Sequence, residues 1–254
     1  MSPAPLRGVL LEELTWVEAE RALTPEAVVV IPIGAALKEH GRHLKLKNDW
    51  TIAERLRLRV AEAADVIVAP TIGHHFYPAF VEYPGSVSLR LETARDLVID
   101  VVRSLARHGP RRFYALNTGV STVRALAPAA EALAQDGVLL TYTVLRDALG
   151  PVEAEVMTQE GGTHADEIET SMMLHLDPGS VDMRLAEKDY RPSSGPLTRD
   201  PNGPGTFSPT GAWGDPTLAT VEKGERVVEA YVAALLRDIE ALRAAELPPH
   251  PRYP

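Results

Sequence analysis

The sequence predicts an α/β protein: a three-layer α/β/α sandwich around a mostly parallel central sheet. Three observations support this. Short apolar runs rich in β-branched residues recur along the chain, and longer stretches with helical spacing of apolar residues separate them. Parallel strands need such crossovers, and the helices then cover both faces of the sheet. The third is size: 254 residues with 45% apolar content are enough to bury one large core.

The elements follow in order. Residues 27–33 read as a buried strand closed by the turn signal Pro32-Ile33-Gly34. Residues 51–64 place Ile52, Leu56 and Val60 on one helical face. Residues 65–70 form a second short strand. A long amphipathic helix over 88–108 follows, through Leu91, Ala94, Leu97, Val98, Val101, Val102 and Leu105. A strand over 112–117, a helix over 120–135 and a strand over 138–144 continue the alternation. A helix is expected over 164–176, started by Thr163 with Asp166 three residues on as its capping-box partner. Its Ile168, Met172, Leu174 and Leu176 read as core. Residues 188–216 lack periodicity and are dense in proline and glycine, and a loop that long in a compact domain is functional or disordered. Asp215 and Pro216 then supply an N-cap and a first-turn proline for a last helix running to about residue 242. The chain shows no internal repeat and reads as a single domain over 1–254.

Composition excludes several functions. A formal net charge of -9 disfavours a nucleic-acid partner, because phosphate binding needs a basic footprint. No apolar run is long enough to span a bilayer, and Met1-Ser2-Pro3-Ala4-Pro5 lacks signal-peptide character, so no membrane role and a cytoplasmic location are expected. With no cysteine, any metal must be held by nitrogen and oxygen ligands. A small-molecule substrate is the expected partner.

Four polar clusters fall near predicted strand ends or helix starts, where sheets of this class place their ligands. The densest is Lys38-Glu39-His40-Gly41-Arg42-His43 through Asp49, directly after the first strand. His40 offers an imidazole nitrogen, while Glu39 and Asp49 offer anionic oxygens, a set that suits zinc, manganese or iron better than calcium. Gly41 permits a tight bend between ligands. The second is Gly73-His74-His75-Phe76-Tyr77-Pro78, where adjacent histidines on an extended chain point apart, so that at most one faces a common site. In the third, Asn117 to Thr122, a helix N-terminus is placed to receive a carbonyl or anionic oxygen. The fourth, Thr163 to Ser171, carries His164, Asp166, Glu167 and Glu169. On a helix begun at His164, that residue shares a face with Glu167. On a helix begun at Ala165 or later, His164 is free to meet Glu169.

The combination of Pro32-Ile33-Gly34, His40-Gly41-Arg42-His43-Leu44-Lys45-Leu46, Asp49, Tyr83-Pro84-Gly85-Ser86-Val87-Ser88-Leu89, His164-Ala165-Asp166-Glu167-Ile168-Glu169-Thr170-Ser171, Gly214-Asp215-Pro216 and Glu222-Lys223-Gly224 resembles the ordered motifs of the creatininase (creatinine amidohydrolase) family. The resemblance implies a cytosolic α/β amidohydrolase, often hexameric, with a two-metal site of carboxylates and histidines. Its members act on creatinine, formylated pyrimidine amines and small peptides. His40 and Asp49 match metal ligands of the family, and His164 and Glu169 match its histidine near the reacting carbonyl and the glutamate of its Glu-Thr-Ser motif. Two departures stand out. The family's ligand glutamate falls on Lys38, and its Asn-Gly-His-Gly-Gly-Asn motif reads Asn117-Thr118-Gly119-Val120-Ser121-Thr122, without a histidine.

The expected function is therefore metal-dependent hydrolysis of a small amide, cyclic amide or formamide by a homo-oligomer. Zinc or manganese would be held by His40, Asp49, Glu169 and Glu39, with His164 or Glu167 carrying the proton. Lys38, His43, His74, His75, Asn117 and Trp213 are the expected substrate contacts. The alternative is a metal-free small-ligand binder of the same fold, in which Lys38 replaces the metal.

Overall fold

The structure is a computed structural model that describes residues 6–249. In chain order its main elements are β1 (Val9–Leu10), α1 (Trp16–Ala22), β2 (Val28–Ile33), α2 (Asn48–Ala63) and β3 (Ile67–Val68). Then come α3 (Leu91–Ala106), β4 (Arg112–Asn117), α4 (Val123–Gln135), β5 (Leu139–Tyr142), α5 (Leu145–Val156) and α6 (Glu167–Leu176). The short strands β6 (Leu197–Thr198) and β7 (Thr206–Phe207) precede the long C-terminal helix α7 (Val221–Ala244).

The central sheet runs in the order β1-β3-β2-β4-β5 with every pairing parallel. β2 is buried along its whole length because it lies at the centre with helices on both sides. Its alternate residues serve two cores. Val28 and Val30 pack with α2, α5, α6 and α7, while Val29, Ile31 and Ile33 pack with α1, α3 and α4. The α/β/α sandwich expected from the sequence is thus the one observed. Among the described residues no helix is long and apolar enough to cross a membrane.

Several boundaries differ from expectation. α6 begins at Glu167 rather than His164, because Ala165 adopts a left-handed backbone with φ of 47° and Asp166 caps the helix, accepting from the amides of Ile168 and Glu169. Thr163 is not its cap. Asp215 and Pro216 belong to a separate 3-10 turn, Pro216–Leu218, and Thr220 caps α7 by accepting from the amide of Lys223. The 188–216 segment is ordered: β6 pairs with β7, and Ser208 and Thr210 donate to the buried Asp189 carboxylate at 2.8 and 2.6 Å.

α6 and α7 cross at Gly224, where an added Cβ would lie 1.9 Å from the Ser171 carbonyl oxygen. Gly224→Ala therefore forces the two helices apart. Overpacking of this kind costs about 1–3 kcal/mol, and a Tm lowered by roughly 2–12 °C is expected in thermal unfolding. An unchanged Tm would show that the helices separate freely.

Candidate metal centre

The site forms where the sheet topology opens a crevice. After β2 the chain crosses to β3 on one side, and after β4 to β5 on the other, so the carboxyl ends of β2 and β4 flank a topological switch point. Ile33 and Asn117 are paired at that edge. The segment after β2 folds back on itself through the Lys38 amide, which donates to the Leu46 carbonyl at 2.9 Å. Gly41 takes the left-handed bend with φ of 67°. Asp49 enters on the first turn of α2, His164 just before α6, and Glu169 on the first turn of α6.

These residues meet in a largely buried cluster. The Lys38 ammonium lies 2.7 Å from Asp49 Oδ2, and His40 Nε2 lies 2.7 Å from Asp49 Oδ1. The other His40 nitrogen, Nδ1, is 3.0 Å from the Lys38 carbonyl, which can only accept, so Nδ1 carries a proton. Nε2 of a neutral ring would therefore turn a lone pair toward an anionic oxygen. At 2.7 Å the contact holds a proton between the two atoms, so His40 carries both ring protons here and would give up the Nε2 proton to bind a metal ion. His164 Nε2 is 3.1 Å from Glu39 Oε2, while its Nδ1 faces Glu169 Oε2 at 3.7 Å. Donor atoms of His40, His164 and Glu169 all lie within 4.8 Å of one another.

Electrostatics follow from this packing. Burial opposes ionisation of Asp49, but His40 and Lys38 outweigh it and hold the carboxyl well below its ordinary range. Glu39 is also lowered, with His164 overcoming the effect of burial. Burial works against the Lys38 ammonium, yet Asp49, then Glu169 and Glu39, raise its pKa overall. Asp49 in the same way raises His40 against the effect of burial. Three carboxylates (Glu39, Asp49 and Glu169) face one ammonium and the protonated His40, which leaves one negative charge, or two once His40 gives up its proton to bind a metal ion. Two imidazoles and a carboxylate at this spacing, with that charge deficit, fit a divalent ion of the zinc or manganese type.

Residues 12–239 match the family model described as Creatininase: Creatinine amidohydrolase. The chain belongs to the creatininase family. It is 30% identical to a creatinine amidohydrolase of Pseudomonas putida, over 96% of this chain and 99% of that protein. It is also 30% identical to a mycofactocin precursor peptide peptidase of Mycolicibacterium smegmatis, over 81% of each. A crystal structure of creatinine amidohydrolase superposes with a TM-score of 0.79 at 25% identity, covering 94% of this chain and 99% of that one. Creatininase structures in manganese and zinc–zinc forms match with TM-scores of 0.79 and 0.78 and identities of 25% and 27%, each over 94% of this chain and 100% and 99% of theirs. These creatininase relatives are hydrolases acting on C–N bonds.

The creatininase-like site does not gather every residue the sequence nominates. Asp49 lies outside the mutually close donors, engaged by His40 and Lys38. Glu39, nominated as a ligand, pairs with His164 and accepts the Gly41 amide. Glu167 faces away: its fully buried carboxylate takes the amides of Thr158 and Gln159 at 2.8 and 2.7 Å, the Thr158 hydroxyl at 2.7 Å and the Lys223 ammonium. It fixes the start of α6 and has no free oxygen to carry a proton. His43 bonds Thr170 Oγ1 at 2.8 Å, and burial lowers its pKa to about 4, so it is neutral. Of the adjacent histidines, His74 is exposed and His75 buried, as alternation on an extended chain requires. His75 is held at about 4 by burial and sits 6.4 Å from the Tyr77 ring.

The Asn117 side chain is consumed locally, donating to the Gly119 and Thr143 carbonyls and accepting from the Gly119 amide and the Thr122 hydroxyl. Trp213 backs the site through its main chain, which exchanges hydrogen bonds with His164 across an antiparallel bridge. Its indole packs 5.7 Å from Tyr190.

Two aromatic residues went unrecognised. Phe80 lies 4.2 Å from the His164 ring and 4.7 Å from the Lys38 ammonium, and Tyr77 lies 5.8 Å from that ammonium. Tyr77 is 2% exposed and its hydroxyl has no hydrogen-bond partner among the described residues. The signal that marks them in the sequence is the aromatic run Phe76, Tyr77 and Phe80 after a predicted strand end.

Proposed function

We propose that this chain is a metal-dependent amidohydrolase that cleaves the C–N bond of a small amide, cyclic amide or formamide. The reading rests on one observation: His40, His164 and Glu169 present donor atoms within 4.8 Å of one another in a cluster short of positive charge. A divalent ion bound there would polarise the substrate carbonyl and bring the pKa of water toward neutrality.

The chain's own residues prepare the site. The Lys38 carbonyl accepts from His40 Nδ1 and so orients the ring and leaves Nε2 for the ion, while Asp49 Oδ1, 2.7 Å from Nε2, adds negative charge beside that position. Glu39 does the same for His164 through Oε2. With His164 among the donors, Glu39 is the carboxylate left to carry the proton, since each of its oxygens keeps a free lone pair beside the His164 imidazole. The Phe80 ring over His164 keeps that side dry.

The rival reading is a metal-free ligand pocket with Lys38 as its cation, favoured by the 2.7 Å Lys38–Asp49 pair. The ammonium and a protonated His40 offset two of three carboxylates, and the uncompensated third weighs against it.

The test is elemental analysis of protein purified without chelator, followed by turnover on lactams, formamides and short peptides. Bound zinc or manganese with hydrolysis of one class is expected. Protein that neither carries nor takes up either ion would end the metal-dependent reading.

A further inference from the structure

We infer that the pocket is built to hold one divalent cation per chain, with the Lys38 ammonium permanently supplying the second positive centre. This rests on the metal-dependent reading above and goes beyond it by fixing how many ions the site takes.

Three observations carry the inference. The first is position. Lys38 is 5% exposed and its ammonium is enclosed between Asp49 Oδ2 at 2.7 Å and the faces of Phe80 and Tyr77 at 4.7 and 5.8 Å. Those rings stabilise a cation but offer a metal no ligand. Among the described residues Asp49 Oδ2 has no partner other than that ammonium.

The second is the ligand supply on the neighbouring strand end. The Asn117 amide is closed on Gly119, Thr122 and Thr143, and the Thr118 hydroxyl donates to the Ile33 carbonyl at 3.1 Å. Residues 117–122 contain no histidine, cysteine, aspartate or glutamate. Among the described residues, the only group of such side chains close enough to hold an ion is His40, His164 and Glu169.

The third is charge. Once His40 gives up its proton to bind an ion, Glu39, Asp49 and Glu169 against Lys38 leave a deficit of two, which a single divalent ion closes. A second divalent ion beside the ammonium would leave two positive charges uncompensated in the same buried space.

The experiment counts ions. Chelator-stripped protein is titrated with zinc and with manganese, and the bound metal per chain is read by native mass spectrometry and elemental analysis, for the unaltered chain and for Lys38→Glu. One ion on the unaltered chain is expected, and on Lys38→Glu a second, more weakly held ion, since only the new carboxylate and Asp49 would hold it. Two ions on the unaltered chain would overturn the inference while leaving the metal-dependent reading intact. No ion on the unaltered chain would overturn both, and one ion on Lys38→Glu in that case would assign the whole cationic role to Lys38. The count on the unaltered chain decides the matter even where Lys38→Glu does not fold.

Discussion

His40→Ala is expected to lower affinity for zinc or manganese by more than about a hundredfold and to abolish turnover. Losing a residue that merely orients a metal-bound imidazole costs roughly 10–100-fold in affinity, and removal of a donor costs more. The substitution also strips Asp49 Oδ1 of its partner at 2.7 Å inside a site where His40 is 1% exposed. Asp49→Asn provides the graded comparison. It keeps the His40 ring and weakens its anionic support, so its loss belongs in the 10–100-fold range. Competition with a chromogenic chelator reads both values. A His40→Ala protein that binds the ion as tightly as the unaltered chain would remove His40 from the donor set.

Glu167→Gln is expected to cost stability rather than chemistry. The Glu167 carboxylate accepts four hydrogen bonds from Thr158, Gln159 and Lys223, all across the junction between α5, α6 and α7. Breaking a buried pair by removing one charge costs about 3–5 kcal/mol, equivalent to a Tm lowered by roughly 6–20 °C in a chain of this size. KM and bound metal should hold in protein kept below its new Tm. Intact Tm with a large fall in kcat would instead return Glu167 to the reacting atoms.

The central strands were the most legible part of the fold. A strand was expected over 112–117 and β4 has those bounds, and 27–33 became Val28–Ile33, because strands buried on both faces read as unbroken apolar runs. The periphery was not legible. β1 has two residues, α1 buries none of its side chains, and α5 carries Gly150 and Pro151 in its middle, so each lacks the period or the continuity that marks an element. In the site, His40, Asp49, His164 and Glu169 are named by their spacing, and the fold brings them into one buried cluster. Glu167 points elsewhere because helical phase depends on where the helix starts, and the left-handed Ala165 delays that start by three residues. The partners of Lys38 could not be read at all. Tyr77 and Phe80 reach it from about forty positions away, a contact that only the tertiary fold creates.

The 188–216 loop is stapled at its base by two backbone bridges, Asp189 to Gly214 and Trp213 to His164, and its exposed stretch 191–196 is tied back to that base. The Trp213 indole donates to the Arg191 carbonyl, Ser193 donates to Thr206, and the Thr206 amide donates to the Pro196 carbonyl. Base and exposed stretch therefore form one mechanical unit. The main-chain bonds that set the height of His164 do not depend on side-chain identity, so a residue inserted or deleted in the exposed stretch pulls on Trp213 and through it on the imidazole, and length is what this surface has to keep.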